Sequence, residues 1–277
     1  MESIRKCIRK RTRHCGRYGV SSEFCQVSYF PYVTGKETRT RQRKYQTSVP
    51  KQKRLNNKKA RRYLEALICS NFGRGDLLLS LSYAPEHAPG NEQEAKKEFA
   101  NFMRRVNYQR KKRGLPITKW ICVTEISRNG RIHHHVVMDH LLDRDTVEGI
   151  WKHGFANSKK LRPDAKRGLL LVADYIAKTF KDDGKKKNMR KWDCSKNLIR
   201  PWDTVNDDPR MMSQKKIRLM QDLPEDSEEM KQLIELDNPG YELLDVEREY
   251  REETGEYYYF CRMRLSTRKR EMVDKPE

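Results

Sequence analysis

Three adjacent histidines, His133, His134 and His135, lie inside the apolar, β-branched run 120–138, WICVTEISRNGRIHHHVVM. On an extended strand alternate side chains share a face, so His133 and His135 point one way and His134 the other. Two imidazoles with Cα atoms about 7 Å apart on one face can converge on a metal ion. The preceding strand offers Glu125 as a third ligand, and the turn decides which way it faces. A two-residue Asn129-Gly130 turn pairs Glu125 with His134. A three-residue Arg128-Asn129-Gly130 loop, with Gly130 in a left-handed bulge position, pairs it with His133. Both turns suit the sequence, and we expect the second, because it gathers two histidines and a carboxylate on one face. Such a site, with open positions, suits Mg²⁺ or Mn²⁺ acting on a phosphate. The plainer alternative is a solvent-facing edge strand, but Val136, Val137 and Met138 continue the strand as a buried run.

Phosphate chemistry at such a site lacks only a nucleophile, and Tyr175 can serve. In the helix expected over 166–180 the apolar stripe is Leu169, Val172, Ala173, Ile176 and Phe180. Tyr175 lies beside that stripe with Leu171, Lys178 and Thr179, so its phenol need not be buried. A phenol with a pKa of about 10 attacks poorly at neutral pH unless a base, cation or metal assists. Lys178, one turn on, brings a cation near. A tyrosine at the rim of a core would show the same spacing, and Tyr83 is the next candidate nucleophile.

These residues need a scaffold, and the surrounding periodicities supply one. DLLLSLSYA (76–84) reads as a buried strand. A helix follows, with Asn91 and Glu94 as cap and reciprocal acid, an apolar stripe of Ala95, Phe99, Phe102, Met103 and Val106, and Gly114 at its end. Strands over 118–127 and 131–139, a short helix over 143–151, a strand over 154–161 and the helix over 166–180 complete the series. The order β-α-β-β-α-β is that of a ferredoxin-like antiparallel sheet with helices on one face, so the fold class is α+β. One more helix is appended. A leading helix over 55–72 turns Leu64, Ala66, Leu67 and Ile68 inward to dock on this domain.

Outside that domain the composition changes. Net charge is +21, and residues 1–62 hold 19 Lys and Arg against three acids. We read 1–54 as a basic, poorly structured arm, 55–202 as the domain, and 203–277 as an extension with a helix and a hairpin turning at Thr254-Gly255. A basic segment on a near-neutral domain is the footprint of a phosphate-backbone binder. Seven cysteines, with no C-x-x-C pair, speak against a disulfide framework and for a reducing compartment. Cys7, His14, Cys15 and Cys25 fit no standard zinc spacing. No apolar run approaches spanning length and no apolar signal core opens the chain, so a cytoplasmic protein without a membrane partner is expected.

RIHHHVVM resembles the histidine-hydrophobe-histidine motif of HUH endonucleases, with His134 in the hydrophobe slot. YIAK resembles the Tyr-x-x-Lys motif of their single-tyrosine rolling-circle replication initiators, and LLLSLSY the strand that opens such domains. LNNKKARRYLEALICSNF, WKHGF and WDCSKNLIRP are similar to segments accompanying these motifs in bacterial plasmid and phage initiators. The likeness covers roughly 55–202 in the right order, leaves 1–50 unexplained and is loose over 203–277. It implies an HUH endonuclease fold in which His133, His135 and Glu125 hold the divalent metal. It implies that Tyr175 attacks single-stranded or hairpin origin DNA, leaving a 5′-phosphotyrosine and a 3′-hydroxyl primer, with Lys178 placing the metal or stabilising charge. The tyrosine follows the histidines, whereas conjugative relaxases carry it before them. The chain has no G-x-x-x-x-G-K-[ST] loop, so a host helicase, with a host polymerase, would complete replication in a bacterial cytoplasm.

Two readings of other classes compete: a non-catalytic DNA-binding repressor on this scaffold, and a zinc-stabilised RNA-binding protein. Tyr175 and Lys178 at their offset favour the enzyme over the first. The second expects exposed aromatics on the central strands, which carry His and Glu instead.

Overall fold

The computed structural model describes residues 6–20, 22–33, 50–178, 191–208, 210–252 and 255–267. Along the chain run β1 (Lys6–His14), β2 (Phe24–Val33), α1 (Pro50–Cys69), β3 (Leu77–Ser82), α2 (Glu92–Lys112), β4 (Trp120–Ile126), β5 (Ile132–Met138) and α3 (Arg144–Ile150). They are followed by β6 (Ala156–Lys160), α4 (Leu170–Ala177), β7 (Asp193–Cys194), β8 (Trp202–Asn206), α5 (Gln214–Asp222), α6 (Glu228–Asp237), β9 (Tyr241–Arg251) and β10 (Glu256–Leu265). The described residues form a mixed α+β chain of two five-stranded antiparallel sheets and six α-helices. It divides into two units, residues 47–199, and residues 1–46 together with 200–277.

In the unit 47–199 the strand order is β6-β3-β5-β4-β7. The expected order β-α-β-β-α-β is present, each helix connection passing over one intervening strand. Local chemistry sets the element ends. The Asn91 side chain accepts hydrogen bonds from Gln93 N and Glu94 N at 3.0 Å each, and Glu94 accepts from Gly90 N at 2.8 Å. Four backbone donors at a helix start otherwise lack partners, which is why this pairing fixes the first turn of α2.

Alternation along the strands sorts their side chains between two cores. Leu77, Leu79, Leu81, Cys122, Val136 and Met138 bury against Phe99, Phe102 and Met103 of α2 and Val147 of α3. Ile121, Val123 and Val137 turn the other way, against Leu64, Leu67 and Ile68 of α1 and Leu169, Ala173 and Ile176 of α4. Each large apolar side chain so buried contributes roughly 1.5–3 kcal/mol. Thus α1 and α4 sit on the face opposite the crossover helices. Helix α4 is also shorter than the expected 166–180. Asp164 accepts from Lys166 N and Arg167 N, and Asp164 and Gly168 bond each other's backbones, so a tight turn occupies the residues before it. Thr179 and Phe180 of the expected stripe lie outside the described residues.

The reading of residues 1–54 as a poorly structured arm is corrected by the second unit. Here the strand order is β8-β1-β2-β10-β9, so two strands from the supposed arm lie at the middle of a sheet completed by the C-terminal hairpin. Cys25, Val27, Tyr29, Cys261 and Met263 bury against Ile217 and Met220 of α5 and Met230 and Ile234 of α6. Lys10 forms an ion pair with Asp237 at 2.9 Å, and Asp237 also accepts from the Tyr29 hydroxyl at 2.7 Å. Other basic residues of the segment are likewise neutralised within the sheet: Arg9 pairs with Asp207 at 2.6 Å and Arg13 with Asp203 at 2.8 Å. The hairpin expected at Thr254-Gly255 is found as β9 and β10, with Gly255 at φ 64°; Thr254 lies outside the described residues. Cys25 is a core residue whose thiol burial pushes up to about 12, and His14 stacks on Trp202 with centroids 4.1 Å apart.

A truncation lacking residues 1–33 should therefore lose this unit. Removing β2 uncovers Cys261 and Met263 and leaves α5 and α6 without half of their core. Far-UV dichroism and dye binding should report lost strand content and newly exposed apolar surface. An unchanged spectrum would contradict the strand order.

Candidate active site

The histidine hairpin closes through a three-residue loop. Gly130 N donates to Ser127 O at 3.0 Å and Ser127 N to Arg131 O at 2.8 Å, with Gly130 at φ 79°. This backbone conformation favours glycine and inserts the residue that shifts the pairing by one. Glu125 is therefore opposite His133, and Val123 opposite His135. On the other side of β5, Ser82 is opposite His133 and Ser80 opposite His135. Along one face this gives the row Ser82–His133–Glu125 and the row Ser80–His135–Val123.

The same face changes character along β5. Val137 packs under α1 and α4, and the strand then presents His135 and His133, both half-buried. His135 Nε2 lies 3.0 Å from Glu125 Oε2. The ring of Tyr175 meets that of His135 edge to face, with centroids 5.7 Å apart and planes at 88°. Tyr175 is 47% exposed and Leu171, one turn earlier, 48%. They and exposed Lys178 form the open side of α4, while Ala173, Ile176 and Ala177 hold the helix to the sheet. Arg61 of α1 donates to the Ala177 carbonyl at 3.1 Å, satisfying one of the acceptors that a helix C-terminus leaves open.

The donor chemistry fits a divalent cation. Two donors each about 2.1 Å from one ion at right angles stand about 3.0 Å apart, the separation of His135 Nε2 and Glu125 Oε2. His135 Nδ1 is buried without a hydrogen-bond partner among the described residues, which leaves imidazole capacity unused. Among the described residues no three His, Cys, Asp or Glu side chains already converge on one point. His133 shares the face and the row of Glu125, and the contact that exists is the one between His135 and Glu125.

His134 is a different kind of residue. It is fully buried on the α2 side, with Tyr83 Oη 2.8 Å from Nε2 and Thr124 Oγ1 3.0 Å from Nδ1. The Tyr83 hydroxyl also donates to Ala95 O at 3.2 Å, so the network assigns the proton to Nε2, with Thr124 donating to Nδ1. Burial, with help from His135 and His133, lowers its pKa to about 3 and keeps it neutral. His134→Leu should leave divalent-ion binding unchanged, because that side chain points away from Glu125. It should still cost about 1–3 kcal/mol, since the Tyr83 and Thr124 oxygens lose a buried partner. Urea unfolding and metal titration of one preparation separate these effects; a large loss of ion binding would refute the assignment of faces. Tyr83 itself is on the wrong side for the His133–His135 face, and burial raises its phenol further, opposing ionisation.

Sequence reasoning named His133, His135, Glu125, Tyr175 and Lys178 but not Ser80 and Ser82, whose polar positions alternate with Leu77, Leu79 and Leu81 in LLLSLS. That alternation was the available signal. It marks a strand face whose upper end the helices leave uncovered.

Residues 76–180, which include all five candidate residues, match a family model of replication-associated proteins of the ORF2 type. No curated protein and no solved structure matches the chain. No helix among the described residues is long and apolar enough to cross a membrane.

Proposed function

We propose that this chain is a replication initiator of HUH type that nicks and rejoins single-stranded DNA at an origin, with Tyr175 as the nucleophile. The observation that carries the reading is the packing of the Tyr175 ring on His135, which itself touches Glu125, the residue across from His133. A phenol, two imidazoles and a carboxylate thus share one face within a segment similar to a replication-associated family.

In the proposed reaction the Tyr175 oxygen attacks the scissile phosphorus and loses its proton. The bond from phosphorus to the 3′-oxygen breaks, and that oxygen takes up a proton to become the 3′-hydroxyl primer. The 5′-phosphate remains on tyrosine until a 3′-hydroxyl reverses the step and rejoins the strand. His133, His135 and Glu125 would hold Mg²⁺ or Mn²⁺, which when bound supplies positive charge to the phosphate oxygens. The sheet sets the distance between the tyrosine and that face, since α4 is fixed by Ala173 and Ile176. Lys178 adds a cation beside the phenol, stabilising charge that grows as the phosphorus is attacked. Separation of parental strands and extension of the primer would fall to a host helicase and polymerase.

The test is to incubate the protein with Mn²⁺ and a library of labelled single-stranded hairpins. A covalent protein–DNA adduct with a free 3′-hydroxyl on the released fragment is expected. Binding without adduct across the library would favour the repressor reading.

A further inference from the structure

Beside the site described above, an aromatic side chain is held out to solvent by an unusually constrained backbone. Phe155 is 65% exposed. Immediately before it, Gly154 adopts φ 147°, and a Cβ there would stand 2.7 Å from Ser82 O and 2.8 Å from Tyr83 C, and closer still to Ala84 N. No residue with a side chain fits that approach. Three hydrogen bonds lock the segment onto the end of β3: Ser82 N to Phe155 O at 2.9 Å, Ala84 N to His153 O at 2.8 Å, and Trp151 Nε1 to Ser82 O at 2.9 Å. The Trp151 ring is anchored in the α2–α3 core. Single exposed apolar residues are ordinary on surfaces, but one fixed by a close-approach glycine and a buried tryptophan is rigidly aimed.

Its aim follows from the pairing. Leu81 is opposite Ala156, and the next bond places Phe155 beside Ser82. Ala156 and Ser158 face α2 and α3, so Phe155, Asn157 and Lys159 face the other way, the way His133 and Glu125 face. The row Ser82–His133–Glu125 therefore extends one strand outward to end in Phe155. With neighbouring strands about 4.8 Å apart, Phe155 and His133 are about 10 Å apart at their backbones. Exposed Lys159, Lys160 and Arg162 continue the same edge with positive charge.

We infer that Phe155 is a stacking platform for a nucleobase of single-stranded DNA flanking the phosphate at His133, His135 and Glu125, with Asn157 at the base edge and Lys159 on the backbone. The placement of that phosphate rests on the function proposed above; the stacking itself does not. Single-strand binders pair a cationic path with aromatic faces in this way, because every base offers a π face.

The full-length protein with a fluorescent oligothymidylate of about 20 nucleotides in EDTA provides the test, since no chemistry then occurs. Phe155→Ala should weaken binding by roughly five- to a hundredfold, while Phe155→Trp retains it and Phe155→Leu behaves like the alanine variant. Urea midpoints should be unchanged, because the ring is exposed. Wild-type affinity in Phe155→Ala, or in Phe155→Leu, would overturn the inference, the latter by showing that any apolar group suffices. The nicking reading is scored separately by the adduct with Mn²⁺. Adduct in the wild type with undiminished Phe155→Ala affinity sinks the platform alone. Weakened Phe155→Ala binding with no adduct on any hairpin upholds the platform and sinks the nicking reading.

Discussion

Tyr175→Phe is expected to abolish the covalent protein–DNA adduct, to below roughly a ten-thousandth of the wild-type yield, while folding, ion binding and DNA affinity survive. The substitution removes one oxygen from a side chain that is 47% exposed, and the ring that packs on His135 remains. Losing the phenol oxygen removes the atom that bonds to phosphorus, so no residual covalent route is left. A tyrosine that merely closed the rim of the α4 core would behave otherwise: the change would cost at most about 1 kcal/mol of stability and leave nicking intact. Denaturing electrophoresis of labelled DNA after reaction with Mn²⁺ decides between them. Persistent adduct would move the nucleophile to another residue. Lys178→Ala should slow adduct formation without preventing it, because a cation assists the transfer and forms no bond.

The second large effect concerns the face that the tyrosine meets. His135→Ala removes the imidazole that touches both Glu125 and Tyr175, and should abolish cleavage while cutting divalent-ion affinity by roughly a hundredfold or more. His133→Ala should do the same through the opposite end of the Glu125 row. Isothermal titration with Mn²⁺ in the absence of DNA reads the ion directly. If His135→Ala bound Mn²⁺ as the wild type does, the His135–Glu125 contact would be an ordinary hydrogen bond and the ion would have to be held elsewhere.

The hairpin and the helices around it were legible because their signals are local. Asn91 and Glu94 fix a helix start, Gly130 fixes a loop, and alternation in β3 and β5 fixes two faces. The meeting of Tyr175 with His135 was not legible, since it depends on which side of the sheet α4 chooses, and Ala173 and Ile176 would suit either side. Strands β1 and β2 were hidden for another reason. The inward positions of β1 include Lys10 and Thr12, and its alternation is intelligible only once Asp237, far along the chain, is seen to neutralise Lys10. Pro31 also argues against a central strand. It is tolerated because β2 pairs with β10 only as far as Tyr29, leaving Pro31 a neighbour on one side alone. Phe155 was invisible as a site because WKHGF does not reveal that its glycine is pressed against the backbone of β3.

The sheet built from β1, β2, β8, β9 and β10 is encoded at both ends of the sequence, with residues 47–199 emerging between its halves. On a ribosome adding about 5–20 amino acids each second, β2 would wait roughly 10–40 s for β9 and β10. During that interval Val27 and Tyr29 have no partner to cover them, whereas the intervening unit already has all of its strands and helices. The unit 47–199 is thus expected to mature before the sheet that brackets it. Chains cut short by an early stop would present a folded histidine hairpin beside an uncompleted, aggregation-prone β ribbon, so quality control of this protein should act chiefly on the synthesis of its last hairpin.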